Sequence, residues 1–111
     1  MITHIVLLKL RDPASGPELR DRLMALPGKI PEIRSYEVGM DVVHGPRSYD
    51  VALVSAFDSL EDLRIYIEHA AHQDVVAFIN QVTETRVSCD YESPGIPSAP
   101  DERKEAMRSS S

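Results

Sequence analysis

Ile5, Val6, Leu7 and Leu8 follow one another without a polar break, inside a run from Ile2 to Leu10 that is apolar at nearly every position. A strand sends alternate side chains to opposite faces, so such a run has no side to give to water. The stretch Tyr49 to Phe57 repeats the pattern. Tyr49, Val51, Leu53 and Phe57 fall on one face, and Ala52, Val54 and Ala56 on the other. A sheet built from these two strands needs a cover on both sides. That need constrains the fold more than any motif does.

The chain has 111 residues, enough for one domain with little core to spare. After the first strand, Asp12-Pro13 and Ser15-Gly16 are turn pairs. A helix is expected from Ser15, with Ser15 as N-cap, Pro17 in the first turn and Glu18 three residues on. Leu19, Leu23 and Leu26 form its apolar stripe, and Pro27-Gly28 stops it. A second strand is expected over Arg34 to Val43, with Tyr36, Val38, Met40 and Val42 on one side. The third is Tyr49 to Phe57. A second helix opens at Ser59, with Asp62 as capping partner, and uses Leu60, Leu63 and Ile67. A further helical stretch covers roughly Gln73 to Asn80, burying Val75, Val76 and Ile79. Val82 to Tyr91 is the last strand, with Thr85, Val87, Cys89 and Tyr91 on one face. From Ser93 to Ser111 the chain is rich in proline, serine and charge, and it reads as a disordered polar tail after a domain spanning residues 1–92.

The order β-α-β-β-α-β is the split βαβ arrangement, an α+β, ferredoxin-like fold with a four-stranded antiparallel sheet and helices on one face. No segment is left to cover the other face. A large exposed apolar face marks an interface, and the simple solution is a homodimer whose two sheets pack face to face as a barrel.

A net charge of −6 disfavours nucleic acid and anionic membranes as partners. The single cysteine, Cys89, excludes an intrachain disulfide and reads as a buried thiol. No signal peptide or membrane-spanning run is read, so a cytoplasmic location is the expectation. Phosphate loops, Cys-x-x-Cys pairs and serine elbows are absent from the sequence.

Chemistry concentrates in Tyr66-Ile67-Glu68-His69-Ala70-Ala71-His72. On a continuous helix, Tyr66, His69 and His72 form a slowly drifting stripe. A phenol beside an imidazole is a workable acid–base pair. The bland alternative has Tyr66 packed in the core and the histidines solvated or capping a helix end. His4 shares a strand face with Ile2, Val6 and Leu8. There it is expected to be buried and neutral, with another histidine or a tyrosine as its hydrogen-bond partner. A histidine pair without a third ligand is a weak metal site, so a divalent ion at His4, His69 and His72 ranks last. Arg47 and Asp50 read as a surface ion pair, and His44 as a solvated turn residue.

These segments resemble the stress-responsive α/β-barrel (Dabb) family. Thr3-His4-Ile5-Val6-Leu7-Leu8-Lys9-Leu10 is similar to its opening strand. Arg47-Ser48-Tyr49-Asp50-Val51-Ala52-Leu53 and Phe57-Asp58-Ser59 match its third. Tyr66 to His72 matches its Tyr-x-x-His-Pro-x-His pattern, with Ala70 where the family has proline. The resemblance implies a dimeric α+β barrel with a small cavity between sheet and helices in each subunit. One plant member cyclises a linear polyketide there without a cofactor. By that likeness His72 is the base, Tyr66 steadies an enolate or phenolate, and His4 orients a carbonyl, while His69, Val6 and Leu23 contact the ligand. The tyrosine that the plant enzyme carries in its first helix has no counterpart in Arg20 to Leu26. A proline at 70 would break the helix and aim the second histidine; Ala70 enforces that break less. The expected function is therefore cofactor-free binding of a small, apolar, oxygenated molecule, polyketide-like or aromatic, with cyclisation or other acid–base processing. Two alternatives stay open: a non-catalytic, stress-associated structural or interaction protein, and a cofactor-free monooxygenase-like barrel.

Overall fold

The computed structural model describes residues 1–94. Four strands form one antiparallel sheet in the order β2-β3-β1-β4. They are β1 (Ile2–Leu10), β2 (Ser35–Met40), β3 (Val51–Phe57) and β4 (Thr83–Glu92). Helix α1 (Gly16–Met24) joins β1 to β2, and α2 (Leu60–Glu68) and α3 (Ala70–Val82) join β3 to β4. Both connections cross one face of the sheet, the ferredoxin-like α+β arrangement.

The two-faced strands sort as the alternation requires. Toward the helices β1 buries Ile2, His4, Leu8 and Leu10, and β3 buries Val51, Leu53, Ser55 and Phe57. Leu19, Leu23 and Leu26 of the first helical segment close over them, with Ile30 from the following turn and Leu63, Val75 and Ile79 from the other helices. On the opposite face Ile5 stands between Val54 and Cys89, and Leu7 between Ala52 and Val87. Among the described residues no helix covers that face. Val54, Val87 and Tyr91 are 37%, 44% and 43% exposed there, although they are large apolar groups. Cys89 lies among them and is exposed, not the buried thiol expected from its apolar neighbours.

Several boundaries move for local reasons. Helix α1 is preceded by a 3-10 turn, Pro13–Ser15, and Asp12 supplies the cap: its Oδ1 accepts from the Ala14 N–H at 2.9 Å. Ser15 thus enters α1 already in helical conformation and makes no side-chain cap. Strand β2 ends at Met40. The Asp41 N–H still reaches the Asp50 carbonyl at 2.9 Å, but the chain then leaves the ladder, and Val42, expected on the strand's apolar side, is 85% exposed. His44 takes a positive φ of 54° in this connection and is exposed, as expected of a turn residue. Asp50 does not pair with Arg47. Its Oδ2 accepts from the Leu10 N–H at 2.7 Å, at the place where a bulge between Lys9 and Leu10 shifts the β1–β4 register. At Ser59 the expected cap forms, with Oγ accepting from the Asp62 N–H at 3.1 Å.

The tail expected from Ser93 lies, from residue 95 on, outside the described residues. Ser93 itself is tied to the sheet, its N–H donating to the Met1 carbonyl at 2.8 Å. Among the described residues no helix is long and apolar enough to cross a membrane.

Candidate functional site

Two helical stretches are found, as expected, and they meet at His69, so Tyr66, His69 and His72 do not form a stripe on one helix. His69 takes φ −62° and ψ 137°, an extended conformation that ends α2 and starts α3. Its Nδ1 accepts from the Ala71 N–H at 3.0 Å, so the ring caps α3. A proline at position 70 is not needed for the break. The expectation that His69 points with the other two is thereby corrected: it does not line the cavity that they share.

The break has a second consequence. Ending α2 at Glu68 leaves its last carbonyls without helical partners. The Ile67 carbonyl accepts from His72 Nδ1 at 2.9 Å and from Gln73 Nε2 at 2.7 Å. A carbonyl only accepts, so His72 carries its proton on Nδ1 and its Nε2 keeps a lone pair. The turn back places the His72 ring 4.3 Å, centroid to centroid, from that of Tyr66. Burial pushes the His72 proton affinity down, the Ile67 hydrogen bond partly opposes this, and the charges of His4, Arg86 and His69 add to the depression. The imidazole is therefore neutral and able to accept a proton at neutral pH.

Tyr66 is fully buried against Phe57, with ring centroids 5.1 Å apart. Its hydroxyl shares a 2.9 Å hydrogen bond with that of Tyr36 on β2. Burial raises the Tyr66 hydroxyl to about 12, with the Tyr36 bond pulling the other way. Burial raises Tyr36 further, and the neighbouring Tyr66 adds to it. Both phenols are neutral hydrogen-bond donors at physiological pH.

The His4 ring lies 6.1 Å from that of Tyr66. Its partner is neither a histidine nor a tyrosine, as expected from sequence, but Asp90, directly opposite on β4. The carboxylate accepts the Nδ1 proton, which fixes the tautomer and leaves Nε2 as the ring's other polar atom. Sequence reasoning misses both Asp90 and Tyr36 as site residues. Asp90 has a readable signal, an acid on β4 out of phase with Thr85, Val87 and Cys89. Tyr36 has none beyond its strand phase.

These groups surround a cavity of about 430 Å³, within the range of small-molecule sites. His4, Val6, Leu23, Tyr66 and His72 line it, together with Leu8, Leu53, Val76 and Ile79 below the sheet-facing helices and Arg86 and Ser88 from β4. The lining is mostly apolar, with polar side chains contributed by His4, Tyr66, His72, Gln73, Arg86 and Ser88. Among the described residues no group of three or more His, Cys, Asp or Glu side chains is arranged to hold a metal ion. His4 is committed to Asp90 and His69 to its cap, so the three-histidine metal arrangement is not assembled.

The model of the stress responsive A/B barrel domain matches residues 2–93. The chain belongs to that family. An uncharacterized protein of Streptomyces coelicolor is 38% identical over 97 residues, covering 83% of this chain and 99% of that one. Among solved structures, a dimeric ferredoxin-like protein of unknown function from Bacteroides fragilis is 34% identical, with a TM-score of 0.76 over 83% of this chain and 95% of the other. The hydroxynitrile lyase of Passiflora edulis shares the fold at 19% identity, with a TM-score of 0.72 over 86% of this chain and 96% of its own. Relatives of this Dabb chain thus include a structure described as dimeric, and its fold is also found in a lyase.

Proposed function

We propose that this Dabb protein is a homodimer, and that each subunit binds a small, apolar, oxygenated molecule beside His72 and processes it by acid–base chemistry that needs no cofactor. The observation that carries this reading is the convergence of Tyr66, His72 and the Asp90-held His4 on one apolar cavity of about 430 Å³. His72 Nε2 takes a proton from carbon next to a carbonyl. Tyr66 donates a hydrogen bond to the oxygen on which the charge collects, and the Tyr36 hydroxyl behind it keeps Tyr66 oriented. His4 Nε2 fixes the carbonyl. Cyclisation of a polyketide-like chain is one outcome of such a carbanion. The non-catalytic alternative predicts a collapsed interior, which the cavity disfavours. The bare sheet face and the dimeric B. fragilis relative support the pairing of two copies. A cytoplasmic location is part of the same proposal.

Solvent deuterium exchange at the α-carbon of an aryl methyl ketone tests the reading, because it requires proton abstraction and nothing more. NMR should show exchange catalysed by the wild type, reduced at least about a hundredfold in His72→Ala and about tenfold in Tyr66→Phe. Equal exchange by wild type and a folded His72→Ala variant would overturn the assignment of the base.

A further inference from the structure

We propose that Arg86 is the anion-recognising residue of this cavity, and that the molecule it takes carries a carboxylate on an apolar body. The inference rests on reading the cavity as a ligand site and adds the chemical class of the ligand.

The first observation is charge. The chain carries a net −6, yet among the described residues no carboxylate lines the cavity, and Arg86 is the one permanently charged lining residue there. An acidic protein has thus left one positive charge, on an exposed side chain, beside a chamber whose other polar lining groups are neutral hydrogen-bonding ones or imidazoles, and such a charge draws in an anion. The second is the missing partner. Arg22, Arg34 and Arg64 each hold a carboxylate, of Glu18, Asp58 and Glu61 respectively. Among the described residues nothing does so for Arg86. On β4 Asp90 is held by His4 and Glu92 by the N-terminal amine, while Glu84, two residues from Arg86, forms no ion pair with it among the described residues. Other arginines also lack a partner among the described residues, but none of them lines this cavity.

The third is placement. Arg86 stands opposite Leu8 in the β1–β4 ladder, and Asp90 stands opposite His4. Anion-recognising guanidinium and dyad carboxylate thus lie on one strand, in register with two residues that line the chamber. Ser88 lies between them and lines it too, adding a hydroxyl donor. A guanidinium offers two parallel N–H groups at the spacing of carboxylate oxygens, which an ammonium does not. A bound carboxylate would also offset the Arg86 charge, which now helps to keep His72 from taking up a proton. Ligand binding would therefore make His72 the stronger base.

The test compares two molecules of one shape that differ in charge, 4-butylbenzoate and 4-butylbenzamide, by titration calorimetry on the full chain at low salt. NMR signals of Tyr66 and His72 report entry to the cavity. The benzoate should bind about tenfold or more tightly than the amide, as a charge-assisted contact requires. The gap should narrow as salt is added. Arg86→Leu should weaken benzoate binding far more than amide binding and so abolish the preference, and Arg86→Lys should keep part of it. Equal affinity of the wild type for the two molecules, or an unchanged preference in Arg86→Leu, would overturn the assignment of Arg86 while leaving a ligand site in place. If neither molecule perturbs Tyr66 or His72, the ligand-site reading falls and this inference with it.

Discussion

The two faces of the sheet are cut from the same strands and have opposite fates. Toward the helices, Leu53 and Phe57 are 3% and 0% exposed, and the face closes around a chamber. On the other side Val54, one residue along the same strand, is 37% exposed, with Ile5 directly opposite it. Residue type does not distinguish the faces; only the helical cover does. Among the described residues nothing covers the bare face, and a second molecule would complete it as a core, whereas the covered face holds a cavity lined in part by polar groups.

The comparison is sharpened by placing one damaging substitution on each face. Leu53→Ala removes buried side-chain volume beside the cavity and should cost about 2–5 kcal/mol at any protein concentration. Val54→Lys places a charge where a monomer would tolerate it almost freely, within about 0.5 kcal/mol. If two sheets pack together, the same lysine is buried without a partner. The dimer should then dissociate at least about a hundredfold more readily, and the apparent melting temperature should become strongly dependent on concentration. Sedimentation equilibrium and thermal melts over a range of concentrations read both effects. A wild-type protein that sediments as a monomer at high concentration would break the comparison at its root.

A smaller effect separates the faces by pH. His72 is half-buried on the helix side and its proton affinity is depressed, mainly by burial. The unfolded chain takes up a proton at this imidazole as pH falls through the ordinary value of about 6.5, while the folded chain resists. Stability linked to His72 is therefore complete above that pH and declines below it, until the folded side chain itself titrates. His72→Gln should flatten the slope of denaturation free energy as pH falls below about 6.5, relative to wild type. A wild-type slope matched by the variant would show that folding does not hold His72 in the neutral state.

How legible the two faces are in the chain follows from period. Two-residue alternation is a property of the strand itself, so the double-sided runs Ile2–Leu10 and Val51–Phe57 are enough to announce a sheet without a wet side. The site is legible only in part. A stripe of Tyr66, His69 and His72 needs one continuous helix, yet the rings of Tyr66 and His72 meet because the helix is broken at His69. That break depends on a side chain folding back onto the Ala71 N–H, which spacing does not encode. Asp90 is harder still to read. Its phase on β4 puts it on the face away from Thr85, Val87 and Cys89, but its meeting with His4 depends on the β1–β4 register, which shifts between Lys9 and Leu10 and which the phase alone does not give. Arg86 reads as one more scattered charge in the sequence, and only an acid-free cavity lining sets it apart.

The smallest expected effect concerns the break itself. His69 holds φ −62° and ψ 137°, the conformation that a residue before proline prefers. Ala70 is exposed at the first position of α3, where proline's fixed φ suits the helix and its missing N–H is no loss. Among the described residues no hydrogen bond uses the Ala70 amide. Ala70→Pro should therefore stabilise the protein by about 0.4–1 kcal/mol, through a more restricted unfolded chain. His69→Ala removes the cap and should cost about 0.5–2 kcal/mol alone. It should cost less in the Ala70→Pro background, because the ring then enforces what the cap now holds. Denaturant titration of the two single variants and the double variant gives the coupling between them. A destabilising Ala70→Pro, or strictly additive variants, would mean that the turn over Tyr66 is held by the Ile67 carbonyl and its two donors, His72 and Gln73, and not by the geometry at His69.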